Sequence, residues 1–396
     1  MLQSAIGNPE SAIADSVVSI GDQNIGANLP VYIIAEAGVN HNGDVAAARK
    51  LIDAAYHAGA DAVKFQVFSA DRLVSASAPT CDYQQRHDGH ATTQRDMLRR
   101  LELKPAAFRD LKTHADRCGI DFLATPFAPE ELTFLVDLDV PAVKLASSDV
   151  VNGPLLAAAA KTSLPVILST GASELAEIDA AVRLIQSESR KSKPESCNRL
   201  ILLHCVSAYP TQPCDAGLAC IRTLEQHFNV PTGFSDHTPD STFSSLAVAA
   251  GAAVLEKHLT LDRNASGPDH FFSLEPAAFS EYVAAARHAQ ATLGDGAIRV
   301  TPEESEVREL ARGSLVTTTA IAAGKSITAA HLTIQRPGDG IGPMRWDDVI
   351  GRVVKTDIPP NTRLSWSMLR KDEDEDSRIE GVEGLWVAAG GAHSCP

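Results

Sequence analysis

From residue 31 onward, short apolar runs alternate with longer alanine-rich segments whose apolar positions recur at helical spacing. The runs predict strands at 31–36, 61–67, 121–125, 142–146, 165–169, 200–205, 231–235 and 253–259. The segments between them predict helices at 44–58, 105–118, 173–187, 216–227, 241–250 and 276–292. Asp44, Ser173 and Ser241 stand where N-caps belong. Strands alternating with helices give parallel βα units. Eight such units over about 260 residues predict a (β/α)8 TIM barrel. An open doubly wound sheet is the alternative, but no G-x-G-x-x-G follows the first strand.

A barrel of this kind gathers its chemistry at the C-terminal ends of its strands. The chain meets that demand. Glu36 ends the first strand, and Lys64 and Gln66 lie near the end of the second. Thr125 follows the third, and Lys144, Ser147 and Ser148 close the fourth. Ser169, Thr170 and Gly171 end the fifth, while His204, Ser207 and Tyr209 accompany the sixth. Asp236 and His237 end the seventh, and Glu256 and His258 the eighth.

Beyond about residue 300 the pattern changes. "AIAAGKSITAAHLT" (320–333) aligns with "DIPPNTRLSWSMLR" (357–370), a weak repeat of period 37 within 313–370. This predicts a small, separate β-rich domain with internal pseudo-symmetry. "QRPGDGIGP" (335–343) reads as a loop. The expected organisation is a loose leader over 1–28, a catalytic barrel over 29–298 and a linker over 299–312. The β-rich domain over 313–370 and an acidic, disordered tail over 371–396 complete it.

Charge and cysteine usage narrow the function. The net charge of −15 argues against a nucleic-acid partner. No apolar run has membrane-spanning length, and the leader lacks the basic and apolar regions of a signal peptide. Seven irregularly spaced cysteines without a C-x-x-C suit a reducing, cytoplasmic setting rather than a disulfide framework.

His237 and His258, on neighbouring strand ends, can hold a divalent cation and leave positions open for substrate oxygens. The plainer alternative is a pair of rim histidines with ordinary hydrogen bonds. Mixed nitrogen and oxygen ligation fits Mn2+, Mg2+, Co2+ or Zn2+. Lys64 ("AVKFQV") and Lys144 ("AVKLAS") lie inside apolar runs. Each either pairs with an anion or pays for desolvation. They can clamp a phosphate and carboxylate, provide a Schiff-base amine, or simply snorkel to solvent. The serines and glycine that follow favour an anion. No G-x-S-x-G, H-E-x-x-H or Walker A motif is present.

A run of motifs resembles the N-acetylneuraminate (sialic acid) synthase family. They are "YIIAEAGVNHNGD", "DAVKFQVFSADRLVS", "ATPF", "VKLASSD", "VILSTG", "LLHCVSAYPT", "GFSDHT", "LEKHLTLD" and "GPDHFFSLEP". The segments "ARGSLV", "IAAGKSIT", "IQRPGDGIGP" and "IGRVV" resemble that family's antifreeze-like (SAF) domain, a β-clip. The resemblance runs from about residue 30 to 370 in order. It implies metal-dependent condensation of phosphoenolpyruvate with an N-acylated mannosamine-type sugar, here N-acetylmannosamine, giving N-acetylneuraminate and phosphate by C–O cleavage. It also implies a divalent metal, usually Mn2+ with Mg2+ or Co2+ also fitting, and a domain-swapped homodimer.

By the same resemblance, His237 and His258 are the metal ligands. Lys64, Lys144, Ser147, Ser169 and Glu256 hold phosphoenolpyruvate, with Gln66 and Ser207 nearby. Glu36 acts near the attacking water or oxyanion. Tyr209 and Asp269 contact the sugar, and Arg336 reaches the partner subunit's sugar. Ser207 and Gly217 stand where bacterial members often have asparagines. Legionaminic or another nonulosonic acid synthase shares these motifs. A Schiff-base aldolase using Lys144 and a non-catalytic sugar-binding protein are the more distant alternatives.

Overall fold

The computed structural model describes residues 16–76, 78–79, 93–192 and 199–370. The acidic tail and the first fifteen residues of the leader lie outside the described residues. The chain divides into two compact units, with the boundary between Gly296 and Ala297.

In the first unit eight parallel strands close into a barrel, each paired with the next in chain order and the last with the first. They are β3 (Tyr32–Gly38), β4 (Ala62–Val67), β5 (Asp121–Pro126), β6 (Val143–Leu145), β7 (Val166–Ser169), β8 (Leu200–Cys205), β9 (Thr232–Asp236) and β10 (Val254–His258). Helices alternate with them: α1 (Val45–His57), α2 (Ala70–Leu73), α3 (Gln94–Leu101), α4 (Pro105–Cys118), α5 (Pro129–Asp137) and α6 (Gly153–Lys161). α7 (Leu175–Ser192), α8 (Ala219–Phe228), α9 (Phe243–Ala249) and α10 (Pro276–Leu293) follow. Asp44 caps α1 by accepting from the Ala46 N–H at 2.8 Å. α7 and α9 start two residues after Ser173 and Ser241, and Thr242 stands at the N-terminus of α9.

Strand periodicity of two decides what each side chain does. On β3 the odd positions Ile33, Ala35 and Ala37 pack outward against the helices. Tyr32 and Ile34 point inward, in one cluster with Ala62, Leu123, Ile167, Ile201, Leu203 and Val254. This apolar layer fills the lower barrel. The same inward parity, continued toward the C-terminal ends, delivers Glu36, Lys64, Lys144, Ser169, Cys205, Glu256 and His258. His204 falls on the opposite parity. It faces the helical layer, with Nε2 2.8 Å from the Ala216 carbonyl and its ring stacked on Phe234. Its expected place beside the mouth is therefore corrected.

The leader is not loose from residue 16 onward. β1 (Val18–Ile20) and β2 (Gln23–Ile25) form an antiparallel hairpin around a two-residue turn, where Gly21 adopts φ 53°. Val18, Ile20 and Ile25 are buried in the same cluster as the lower barrel layer, closing its base. Ile20→Ala should therefore cost about 2–5 kcal/mol, read by denaturant unfolding. A change below about 0.5 kcal/mol, the size of an ordinary surface effect, would contradict the packing.

Beside this plug Tyr32 donates to Asp121 Oδ2 at 2.7 Å. Burial, with Asp61 and Asp22 nearby, raises the Asp121 pKa against the opposing Tyr32 hydrogen bond. A raised folded-state carboxyl stabilises fully below its unfolded value near 3.8 and loses that contribution as pH rises through the folded value. Asp121→Asn should flatten this loss in a stability-versus-pH series. An unchanged slope would contradict it.

The second unit begins with a helix inside the expected linker. α11 (Pro302–Ala311) starts from a capping box in which the Thr301 side chain accepts from the Glu304 N–H and Glu304 reaches back to Thr301. β11 (Ser314–Thr317) then pairs with β12 (Leu332–Gln335). The sequence repeat becomes real symmetry. Ile321 pairs with its own repeat mate Ile358, and the bridges Val316–Arg363 and Ser326–Val353 exchange under the same shift of 37 residues. Leu332 and Leu369, another such pair, are buried in one small core with Ile321 and Ile358.

Candidate active site

The mouth of the barrel opens on a cavity of about 790 Å³. Its floor is a nearly fully buried ionic cluster. Lys64 Nζ lies 2.8 Å from Glu36 Oε2 and 3.7 Å from Glu256 Oε1, and donates to Thr125 Oγ1 at 3.2 Å. Lys144 Nζ reaches the same Glu256 oxygen at 3.6 Å and donates to its neighbour's carbonyl, Leu145, at 3.1 Å. Gln66 donates to Glu36 at 3.1 Å, and Ser235 to Glu256 at 3.2 Å. All four ions are at most 5% exposed. They persist in this setting because each has an opposite charge beside it.

The carboxylates differ. Burial outweighs Lys64 and raises Glu36, with Glu256 adding to the shift. Glu256 is itself held below its ordinary value, because Lys144 and Lys64 together overcome burial. Lys64 is raised, since Glu256 and Glu36 prevail over burial, whereas burial depresses Lys144. Asp269, buried and near Glu36, rises to about 7. Glu256 thus carries the firm negative charge, shared by two lysines. That leaves positive potential for an anionic ligand.

Next to the lysines lies a cradle of small groups. Ser147 Oγ accepts from the Gly171 N–H at 2.9 Å. A Cβ on Gly171 would stand 2.4 Å from Ser207 Oγ and 3.0 Å from both Ser147 Oγ and Cys205 Sγ. Only glycine lets the backbone come this close. Ser169 Oγ, buried at the cavity wall, has no hydrogen-bond partner among the described residues. Hydroxyls, a bare backbone segment and two ammonium groups form a donor set for a phosphate or carboxylate.

His237 and His258 come together as their strand ends predict, with ring centroids 5.5 Å apart. His237 Nδ1 contacts the Val206 carbonyl at 2.9 Å, which fixes that nitrogen and turns Nε2 outward. His258 is held neutral by burial, with His237 and the lysines adding to the effect. Its Nδ1 lacks a hydrogen bond among the described residues and lies 3.9 Å from Asp269 Oδ2. Two imidazoles so arranged fit a divalent cation. The Tyr209 ring packs at a tilt against His237 at 4.3 Å and Phe272 at 5.1 Å, and Phe272 meets His258 edge-on at 4.7 Å. Gly217 adopts φ 56°, a left-handed conformation that glycine and asparagine tolerate best.

The outer wall is different in character. Leu73, Leu98 and Phe127, with the buried Met97 and Leu101, form its apolar part, and Gln94, Asn152, Ser173 and Glu177 its polar part. Arg72 is also there, but its guanidinium is bound to the buried Glu131. Arg336 belongs to the second unit, exposed just after β12.

Sequence reasoning missed Ser235 and Cys205. Both share the inward parity of His237, which is the signal that locates them. It also missed a possible metal site away from the mouth, where Asp53, His114 and Cys118 bring ligand atoms within 4.8 Å of one another. Its only sequence trace is the His114-x3-Cys118 spacing on α4.

Residues 51–298 match the model of the NeuB family, and residues 312–370 match that of the SAF domain. The chain belongs to the NeuB family. The N,N'-diacetyllegionaminic acid synthase of Legionella pneumophila is 37% identical over 86% of this chain and 95% of that protein. The enzyme of the same name from Campylobacter jejuni is 39% identical, covering 81% and 95%. The crystal structure of N-acetylneuraminic acid (sialic acid) synthetase from Leptospira borgpetersenii superposes with a TM-score of 0.65 at 35% identity, over 74% and 95%. This NeuB protein is a phosphoenolpyruvate-dependent nonulosonic acid synthase with a TIM-like barrel and an SAF domain. Among the described residues no helix is long and apolar enough to cross a membrane.

Proposed function

We propose that this NeuB protein condenses phosphoenolpyruvate with an unphosphorylated N-acylated amino sugar at the barrel mouth, and that its product is a legionaminic-type acid rather than N-acetylneuraminate. The sharing of Glu256 by Lys64 and Lys144 beside the Gly171 cradle carries the first part, because it supplies two cations for one three-carbon dianion. Two observations support the second. The relatives from Legionella and Campylobacter bear the legionaminic name. Part of the lining is apolar, with Leu73, Leu98 and Phe127 partly buried there, and Arg72 is committed to Glu131. Such a wall suits acyl groups and offers a sugar phosphate no free cation among the described lining residues.

The nucleophilic enol carbon attacks the aldehyde carbon of the open-chain sugar, forming the new C–C bond. A divalent metal held by His237 and His258 supplies Lewis acidity toward the aldehyde. Lys64, Lys144, Ser147 and Ser169 hold phosphate and carboxylate, with Ser207 and Gln66 completing the contacts. Positive charge developing at C2 is stabilised by Glu256, and its capture by water is assisted by Glu36, whose raised pKa suits proton transfer. The bond between C2 and the bridging oxygen then breaks and phosphate leaves with that oxygen, so that water, phosphoenolpyruvate and sugar become one 2-keto acid and phosphate. Tyr209 and Asp269 orient the sugar.

Phosphate release with a panel of acylamino sugars tests this reading. A diacylated amino sugar should give the highest kcat/KM, and N-acetylmannosamine a lower one; the reverse order would restore the sialic acid assignment. The depressed pKa of Lys144 favours one second reading, an aldolase forming a Schiff base. Borohydride should trap no pyruvate adduct; a stable adduct on Lys144 would decide for the aldolase.

Arg336 acts in trans in this proposal, within a domain-swapped homodimer. Its planar fork supplies several donors for a hydroxylated sugar. Arg336→Ala and His237→Ala, each inactive alone, should regain activity after mixing and subunit exchange. No recovery despite demonstrated exchange would place the arginine in cis.

A further inference from the structure

α1 and α4 pack side by side on the outside of the barrel. Asp53 lies near the C-terminal end of α1; His114 and Cys118 lie one turn apart at the C-terminal end of α4. His114 Nε2 is 2.7 Å from Asp53 Oδ1. Cys118 Sγ is 3.7 Å from the same oxygen and 3.9 Å from the same nitrogen. Three different ligand types therefore converge on one point, and all three are half-buried or partly exposed. Barrel helices run opposite to their strands, so this point lies at the far face from the mouth. It is separate from His237 and His258.

We propose that Asp53, His114 and Cys118 form a second cation site, for a thiophilic divalent ion of the zinc or cobalt type. Bond lengths of about 2.0–2.3 Å in a tetrahedral site set ligand atoms roughly 3.3–3.6 Å apart. The cluster reaches this spacing if the Asp53–His114 pair opens by about half an ångström and the sulfur closes by a few tenths. An i, i+4 pair on one helix face is held in place by the helix itself. The point lies beside the C-terminal turns of the two helices, a position that disfavours an anion. The chemistry balances. The thiol releases its proton to solvent, and the His114 proton moves to Nδ1 so that Nε2 presents its lone pair. Carboxylate and thiolate then neutralise the two positive charges. The mixed sulfur, nitrogen and oxygen set selects a borderline ion over Mg2+ or Mn2+, and water fills the fourth position. Such an ion ties the first βα unit to the second.

The alternative is a metal-free network in which Asp53 accepts from both His114 and Cys118. Cobalt separates the two. The full-length protein, stripped with a chelator and dialysed, is titrated with Co2+ while the thiolate-to-cobalt charge-transfer band is recorded. The His237→Ala/His258→Ala double variant should retain the band. Cys118→Ser should lose it and bind one fewer equivalent per chain. An undiminished band and equal stoichiometry in Cys118→Ser would overturn the proposal. If Cys118→Ser fails to fold, wild-type protein is alkylated with and without Zn2+ and read at the Cys118 peptide by mass spectrometry. Zinc should slow labelling at least tenfold; equal rates would overturn the site.

Discussion

His237→Ala and His258→Ala should each lower turnover by about three orders of magnitude, because a Lewis acid contributes several kcal/mol to the barrier. Metal affinity should fall with it, read by calorimetric Mn2+ titration of each purified variant. The fold should survive. His258 is held neutral by burial, and neither ring belongs to the ion-paired cluster of Lys64, Lys144, Glu36 and Glu256. Removing the His258 ring forfeits its packing on Phe272 at 4.7 Å, a loss of about 1–3 kcal/mol in a domain of this size. A variant that keeps full metal-dependent activity would remove that histidine from the site.

The two lysines should separate by a different signature. Lys144 shares Glu256 with Lys64, so Lys144→Met leaves that carboxylate paired. Its stability should change little, while the lost charge-assisted contact weakens phosphoenolpyruvate binding by about 1.5–3 kcal/mol, roughly ten- to 150-fold. Lys64 is the sole described ion-pair partner of Glu36, at 2.8 Å, and also faces Glu256. Lys64→Met strands a buried carboxylate and should cost about 3–5 kcal/mol of stability in addition to the binding loss. Unfolding curves and the KM for phosphoenolpyruvate of the two variants check this. Equal stability losses, or a larger effect on the KM for the sugar, would contradict the arrangement.

Much of this architecture was legible in the chain. Strands buried on both faces must be short continuous apolar runs, and a charged residue inside such a run is conspicuous. Lys64 and Lys144 stood out for that reason, and strand ends brought in Glu36, His237, Glu256 and His258. Parity within a run then separates interior from exterior. Applied residue by residue, it would have expelled His204, one position from Cys205, and admitted Ser235; the strand-end reading did neither.

Other features were less visible for physical reasons. The hairpin at Val18–Ile25 has strands of three residues, too short for alternation to register, although Gly21–Asp22 is a turn signal. α3, "QRDMLRRL", buries only Met97 and Leu101, so its apolar stripe is minimal. The Asp53–His114–Cys118 cluster depends on how two helices pack, which no local pattern contains. The repeat in the second unit was readable because pseudo-symmetry copies buried positions such as Leu332 and Leu369.

The central claim is a condensation at this cavity in which phosphoenolpyruvate loses phosphate by C–O rather than P–O cleavage. It is tested most directly with phosphoenolpyruvate carrying 18O in the bridging position, incubated with Mn2+ and the preferred acylamino sugar. The account predicts that the label leaves in inorganic phosphate and that the new 2-keto acid takes its oxygen from water. Label retained in the keto acid would mean attack at phosphorus, and would contradict the roles given to Glu36 and Glu256.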